Sequence, residues 1–139
     1  MENQQTTQIG SFVLRISLGL MFIAHAMLKL LVFTLPGTAA FFASLGLPGF
    51  LAYPVFAAEL FGGIALLLGW RTRLVATALI PVLLGATWAH AGNGWTFTAP
   101  NGGWEYPAFL TVATFVQALL GAGAFALDAR KPVSAPAFA

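Results

Sequence analysis

Four long runs of apolar residues, separated by short polar or glycine-rich stretches, dominate the chain. A membrane-spanning helix needs about 20 mostly apolar residues, and no run alternates polar and apolar positions as a β-barrel strand does. Backbone groups in a bilayer must pair within their own segment, which also favours helices. We therefore predict an all-α, polytopic membrane protein, a bundle of four transmembrane helices over residues 11–33, 50–69, 72–91 and 106–127.

The connections between these segments differ in length and character. In the first loop, Pro36-Gly37 and Gly46 bracket residues 38–45, which we expect to form a short interfacial or re-entrant helix. A tight basic turn with Arg71 and Arg73 joins the second and third segments, and a loop rich in Gly and Trp precedes the fourth. Residues 128–139 are rich in Pro and Ala and predict a flexible tail. The whole chain, residues 1–139, is interpreted as one membrane domain.

Composition agrees with this interpretation. Only 7% of the residues are charged, against about 25% in soluble domains, 59% are hydrophobic, and the mean hydropathy is +0.86. These values exclude a disordered chain and a nucleic-acid binder with a basic face. The absence of cysteine excludes disulfides, thiolate nucleophiles and Cys-ligated clusters.

The distribution of positive charge predicts the orientation of the bundle. With four spans, five of the six Lys and Arg residues fall on one side of the membrane, and Lys29 alone falls towards the other. The five are Arg15, Arg71, Arg73, Arg130 and Lys131. We expect both termini in the cytoplasm, the tail included, and both long loops outside.

Ionisable residues inside the apolar segments are the candidates for function, because each is costly in a membrane. Arg15, His25 and Lys29 lie within an arc of about 80° on the first helix. Arg15 and Lys29 are interpreted either as end residues that snorkel to the interface or as part of an interior stripe. Glu59 on the second helix matches His25 in depth, so His25 or Lys29 is its expected partner. A structural ion pair and a ligand or proton site both remain open.

The polar candidates converge on the outer half of the predicted bundle, which suggests a ligand-binding or proton-handling pocket. They are His25, Lys29, Glu59, His90 and Glu105. The nearby aromatic residues are interpreted as an interfacial belt or as a lid over the pocket. They are Trp88, Trp95, Trp104 and Tyr106.

Two other kinds of site can be built from the same residues. A metal site using His25, Glu59 and His90 has suitable ligand types and stays an alternative. A haem between His25 and His90 is disfavoured because the two histidines lie at different depths. Gly62 and Gly63, one turn after Glu59, predict a close helix approach beside the pocket.

An ordered set of short motifs resembles the DoxX family of small bacterial membrane proteins. One departure is Ala26, where the family often has Gly after the histidine. The motifs that carry the resemblance are Leu14-Arg15, Leu18-Gly19, His25-Ala26-Met27-Leu28-Lys29, Gly46-Leu47-Pro48, Ala58-Glu59-Leu60, Gly62-Gly63, Leu68-Gly69-Trp70-Arg71-Thr72-Arg73, His90, Gly94-Trp95, Glu105-Tyr106 and Leu127-Asp128.

The resemblance implies a four-helix protein of the bacterial inner membrane. Members are associated with thiosulfate:quinone oxidation and with oxidoreductase complexes in oxidative-stress defence. It therefore implies a redox-linked subunit that binds a quinone or another small molecule, has no redox cofactor of its own and acts with oxidoreductase partner proteins. The alternatives are a proton-coupled small-solute transporter or binding protein, and a non-catalytic membrane scaffold. A homo-oligomer in the lipid bilayer is compatible with each of them.

Overall fold

A computed structural model describes residues 2–128, in which every regular element is helical and no strand occurs. The α-helices are α1 (Glu2–Met27), α2 (Leu35–Ser44), α3 (Ala52–Leu68), α4 (Thr72–His90) and α5 (Glu105–Leu120). A π-helical stretch, Leu28–Val32, continues α1 without a break, and short 3₁₀ turns cover Gly49–Leu51 and Ala91–Asn93. The all-α prediction is confirmed for this part of the chain.

Three helical segments are long and apolar enough to cross a membrane: Asn3–Val32, Gly49–Leu68 and Thr72–Asn93. The fourth apolar helix, Glu105–Leu120, is shorter. Large apolar side chains point away from the interior along the helices, as at Leu20, Phe61 and Phe109. Surface of this kind is solvated by lipid tails rather than by water, so the fold is that of a membrane protein.

Helices α1 and α3 cross closely at two glycines, Gly19 and Gly63. A Cβ atom on Gly63 would lie 2.8 Å from Cγ1 of Ile23 and 2.9 Å from the carbonyl oxygen of Gly19. Gly62 faces the other way, towards Leu79 of α4. The predicted close approach at Gly62 and Gly63 is therefore confirmed, and it brings the segment that carries Glu59 against α1.

The fourth apolar segment ends its helix earlier than the sequence indicates. The predicted segment extends to residue 127, whereas α5 stops at Leu120. Gly121 and Gly123 adopt φ angles of 85° and 69°, left-handed conformations that glycine accepts readily and that a helix cannot contain. Residues 121–128 form what we call the closing segment, which folds back over the ends of α1 and α3. The predicted tail beyond it, with Arg130 and Lys131, lies outside the described residues.

Arg15 ties this closing segment to the rest of the bundle. Its side chain is 0% exposed, so the expectation that it snorkels is wrong. The guanidinium donates at 2.7–3.0 Å to four carbonyl oxygens, two at the C-terminus of α3 and two in the closing segment. These belong to Leu66, Leu67, Ala122 and Ala124. Carbonyls in the last turn of a helix have no following turn to supply N–H partners. Arg15 donates to those of Leu66 and Leu67, and the carbonyl of Leu66 also accepts from the N–H of Gly69 at 3.0 Å.

Asp128 completes the same end of the molecule. Its carboxylate accepts hydrogen bonds from the backbone N–H groups of Arg71 and Thr72, at 3.0 Å and 2.9 Å, and so caps the N-terminus of α4. Arg71 and Arg73 therefore lie at the Arg15 end of the bundle, as the topology prediction requires of them. The opposite end is left for the polar candidates.

The predicted short helix in the first loop is present as α2. Thr34 begins it by accepting a hydrogen bond at Oγ1 from the N–H of Gly37, at 3.1 Å, and Pro36 occupies its first turn. The helix packs against the π-helical stretch and against the start of α3. It therefore covers the end of the bundle opposite to Arg15.

Candidate functional site

A cavity of about 890 Å³ lies between the five α-helices, at the end that α2 covers. Its volume is within the range of small-molecule sites, about 300–1,000 Å³. The walls are mostly apolar and aromatic. The aromatic and sulfur-containing side chains among them are Met21, Phe22, Phe33, Phe41, Phe42, Phe97 and Tyr106. Such walls suit a largely apolar ligand held by a few polar groups.

An ion pair between Lys29 and Glu59 forms part of the cavity wall. Nζ of Lys29 lies 2.7 Å from Oε2 and 3.0 Å from Oε1 of Glu59, and the two side chains are only 17% and 8% exposed. Of the two partners considered for Glu59, the structure selects Lys29. The pair has no net charge, which is how both groups tolerate burial.

The backbone at Lys29 departs from regular helix. In the π-helical stretch Leu28–Val32, the N–H of Phe33 donates to the carbonyl of Leu28, five residues earlier, at 2.9 Å. This wider winding changes the direction of the side chains that follow His25. Single turns of π-helix occur often at functional sites. Here the π-helical turn carries the cation of the cavity.

Both histidines also line the cavity, and both are held in the same way. Nδ1 of His25 lies 2.8 Å from the carbonyl of Met21, and Nδ1 of His90 lies 2.8 Å from that of Ala86. A carbonyl oxygen can only accept, so Nδ1 carries the hydrogen in each ring. The second nitrogen, Nε2, has no hydrogen-bond partner among residues 2–128 in either case. In the neutral form of each ring, Nε2 is therefore a free hydrogen-bond acceptor.

Tyr106 extends the site through an aromatic stack. Its ring lies parallel to that of His25 within 24°, with the centroids 5.8 Å apart. Its hydroxyl points to the sulfur of Met21 at 3.5 Å, which is a weak contact. Tyr106 thus fixes the plane of the imidazole, and its own ring forms part of the cavity wall.

Glu105 lies outside this cavity. Its Oε1 accepts the N–H of Phe97 at 2.9 Å, which ties the preceding loop to the start of α5. With Trp95, Phe97 and Tyr106 it borders a separate, shallow groove of about 500 Å³ along α5. Of the five polar candidates, the structure brings together His25, Lys29, Glu59 and His90, and leaves Glu105 in a loop-capping position.

The candidate lid aromatics are also divided. Tyr106 lines the cavity, whereas Trp88 is 56% exposed and does not line it. Trp95 and Trp104 pack edge to face, with centroids 4.5 Å apart, in the loop before α5. The exposed positions of Trp88 and Trp95 match an interfacial belt better than a lid.

The metal alternative finds no support in the geometry. Among the described residues, no three His, Asp or Glu side chains come close enough to hold a metal ion. Glu59 is held by Lys29, and the rings of His25 and His90 are each tied to their own helix. The site considered for these three residues is therefore not formed.

Sequence reasoning missed the apolar half of the site. Phe41 and Phe42 of α2 and Phe97 of the long loop line the cavity, as does Asn101 at its exposed rim. An apolar residue that faces a cavity looks the same in a sequence as one that faces lipid. The only available signal was the predicted short helix, because a helix over the mouth of a bundle must face its interior on one side.

Comparison with known proteins adds a family and a relative. The family model described as DoxX matches residues 10–92, a segment that contains the four polar candidates that line the cavity. A Bacillus subtilis (strain 168) protein named "Putative oxidoreductase CatD" is 34% identical over 122 residues, which is 87% of this chain and 86% of the relative. No solved structure matches the chain.

Proposed function

The chain belongs to the DoxX family, and from this premise we propose that it is a redox-linked membrane subunit that binds a quinone or a related small aromatic molecule in the cavity. The name of its relative, an oxidoreductase, supports a redox role. Because the chain has no cysteine, electron transfer would depend on a bound ligand and on partner proteins. The chain itself would bind and orient the ligand.

One observation carries this proposal: an ion pair and two imidazole side chains line a single cavity whose remaining walls are mostly apolar and aromatic. Aromatic walls accommodate a flat ring, and a few placed polar groups fix its orientation. The ammonium of Lys29 donates hydrogen bonds, and Nε2 of His25 and of His90 accepts them. A carbonyl oxygen on a ring accepts from the donor, and a phenolic hydroxyl group can use both kinds of group.

We propose four membrane spans, with α5 as the fourth, and both termini in the cytoplasm of a bacterial cell. At about 1.5 Å per residue α5 is about 24 Å long, less than the ~30 Å of hydrocarbon, and the closing segment supplies the remaining depth. The exposed side chains of Phe109, Val112 and Leu119 on α5 suit a side of the helix that faces lipid. Arg71 and Arg73 lie at the Arg15 end of the bundle, and their positive charge favours that end as the cytoplasmic one. The cavity would then lie on the outer side of the inner membrane.

A reporter fusion tests this orientation. A reporter active only in the cytoplasm, fused after residue 139, should be active, and the same reporter in the loop after His90 should not be. The reverse pattern would contradict the proposed topology.

The binding proposal is tested with purified protein in lipid nanodiscs. Isothermal titration with a short-chain benzoquinone or its hydroquinone should give saturable binding. The Lys29→Met/Glu59→Gln double variant, which keeps the site neutral, should bind at least about tenfold more weakly, because a charged hydrogen bond is worth about 1.5–3 kcal/mol. Trp88→Phe, on the same end of the bundle but outside the cavity, is the matched control. Failure of the wild-type protein to bind either form would contradict the proposal.

The buried ion pair also supports a second function, a proton-coupled transporter of small solutes. Ionisable pairs inside membrane proteins often mark proton or ion pathways, and Lys29 and Glu59 face the cavity. Liposomes with the wild-type protein should then show solute flux that follows a pH gradient and is lost in Glu59→Gln. Flux that is independent of the gradient would contradict this function.

A further inference from the structure

The two histidines of the cavity occur in the same short sequence, Ala-His-Ala, on helices α1 and α4. In both, the Nδ1 hydrogen is donated to the carbonyl four residues earlier at 2.8 Å. This bond fixes the tautomer, because the carbonyl cannot donate. In the neutral form of each ring, Nε2 is consequently a hydrogen-bond acceptor at a cavity wall.

The other polar groups of the cavity are largely engaged. Both oxygens of Glu59 accept from Lys29, and Oγ1 of Thr38 donates to the carbonyl of Thr34 at 2.9 Å. The ammonium of Lys29 has three N–H groups, so one is left for a ligand after the two contacts with Glu59. Asn101 lies at the exposed rim. Apart from the hydroxyl of Tyr106, which makes only a weak contact with the sulfur of Met21, the enclosed part of the cavity therefore offers two free acceptors and one free donor.

We propose that this cavity selects the reduced, dihydroxy-aromatic form of its ligand, a benzenediol, over the oxidised quinone. This inference rests on the proposed function and specifies the ligand class. A phenolic O–H donates to Nε2 of His25 or of His90, and its oxygen still accepts from Lys29. Both oxygens of a quinone only accept, so a quinone satisfies Lys29 and leaves each imidazole that it covers without a partner.

The preference follows from what an unsatisfied group costs. A site built around a hydroxyl group rejects the analogue that lacks it, because the buried polar partner is then left unpaired. One hydrogen bond between neutral groups changes affinity by about threefold to tenfold, and an unpaired buried acceptor by about tenfold or more. We expect the benzenediol to bind about tenfold more tightly than the quinone.

The test compares three ligands that share one ring: 2,3-dimethoxy-5-methylhydroquinone, the corresponding quinone, and the hydroquinone dimethyl ether. Each is titrated into the full-length protein in nanodiscs under anaerobic conditions. The hydroquinone should bind about tenfold more tightly than either of the others. His25→Phe and His90→Phe keep a flat ring without the acceptor. At least one of them should lower hydroquinone affinity about threefold to tenfold, whereas neither should lower quinone affinity, because a quinone donates no hydrogen bond to an imidazole. Trp88→Phe should leave all three affinities unchanged.

The outcomes separate the inference from the function on which it rests. If the quinone binds as tightly as the hydroquinone, the proposed function stands and the inference is wrong. If none of the three ligands binds, both are wrong. Equal losses of affinity for hydroquinone and quinone in both histidine variants would mean that the imidazoles shape the cavity but do not hydrogen-bond the hydroxyl group. This result also overturns the inference.

A second measurement does not depend on the variants. Nitrogen NMR of protein labelled at histidine should show Nδ1 protonated and Nε2 unprotonated in both rings. Added hydroquinone should shift at least one Nε2 resonance, whereas added quinone should not. A protonated Nε2 in both free rings would overturn the inference, because the cavity would then contain donors instead of acceptors.

Discussion

The Lys29–Glu59 pair allows a structural role to be separated from a functional one by a double-mutant cycle. The three variants are Lys29→Met, Glu59→Gln and the double variant. Gln has the same shape as Glu, and Met is an unbranched side chain one atom shorter than Lys. Lys29→Met leaves a carboxylate that is 8% exposed without its counter-charge. Removing one partner of a buried pair costs about 3–5 kcal/mol, and the 17% exposure of Lys29 places this change near the lower limit.

Glu59→Gln is the milder single change, because the amide oxygen still accepts a hydrogen bond from the ammonium. We expect about 2 kcal/mol for it and about 3 kcal/mol for Lys29→Met. The double variant removes both charges together and should lose only about 1–2 kcal/mol. The two single effects are therefore not additive, and the coupling free energy is about 3 kcal/mol.

The assay is unfolding by sodium dodecyl sulfate in mixed micelles, followed by far-ultraviolet circular dichroism. Thr77→Ala is the control, since Thr77 is exposed and makes only a hydrogen bond to Arg73 within its own helix. The same proteins are then tested for ligand binding. We expect the double variant to be folded but to bind the ligand weakly.

Two results would refute this reasoning. Single effects below about 1 kcal/mol that add in the double variant would mean that the pair behaves as a solvated surface salt bridge. A stable double variant with unchanged ligand affinity would assign the pair to bundle stability alone, as in a membrane scaffold.

Three further changes test the rest of the structure by the same unfolding assay. Arg15→Met removes a side-chain donor from four carbonyls and should lower the free energy of unfolding by about 3–5 kcal/mol. Ser17→Ala, on the exposed side of α1, is the control and should be nearly neutral. A loss of stability below about 1 kcal/mol in Arg15→Met would contradict the role of Arg15. Gly63→Ala puts a methyl group into the α1–α3 crossing and should destabilise the protein by about 1–3 kcal/mol. Gly10→Ala, where the added methyl group meets open space, should stabilise the protein by up to about 1 kcal/mol. Similar effects at both sites would disprove the close crossing. Asp128→Asn weakens the cap of α4 and should cost about 1 kcal/mol; full stability would show that the cap is dispensable.

The helices could be predicted because their apolar segments are long and their boundaries contain clear signals. Pro36-Gly37 marks the first turn of the short helix α2 and Gly46 follows its end, and the turn with Arg71 separates α3 from α4. The end of α5 could not be predicted in this way. Residues after Leu120 remain apolar, so hydropathy alone extends the segment, while the left-handed Gly121 and Gly123 end the helix.

The polar half of the site could be predicted in part, because charged and imidazole side chains are rare in apolar segments and therefore easily noticed. The spacing of His25 and Lys29 indicated one helix face, and matched depth suggested a partner for Glu59. Arg15 shows the limit of this reasoning. Its carbonyl partners lie about 50 and 110 positions away along the chain. Because every residue has a backbone carbonyl, the sequence does not indicate which ones a buried side chain will contact. Glu105 was misplaced for a similar reason, since its partner is a backbone N–H.

The most direct test of the central claim is a crystal structure grown in a lipid phase with a bound hydroquinone. We expect ligand density inside the cavity, with a ligand oxygen within hydrogen-bond distance of Nζ of Lys29. A hydroxyl group of the ligand should lie within hydrogen-bond distance of Nε2 of His25 or His90. Hydroquinone bound only in the shallow groove beside Trp95, with the cavity filled by lipid, would contradict it.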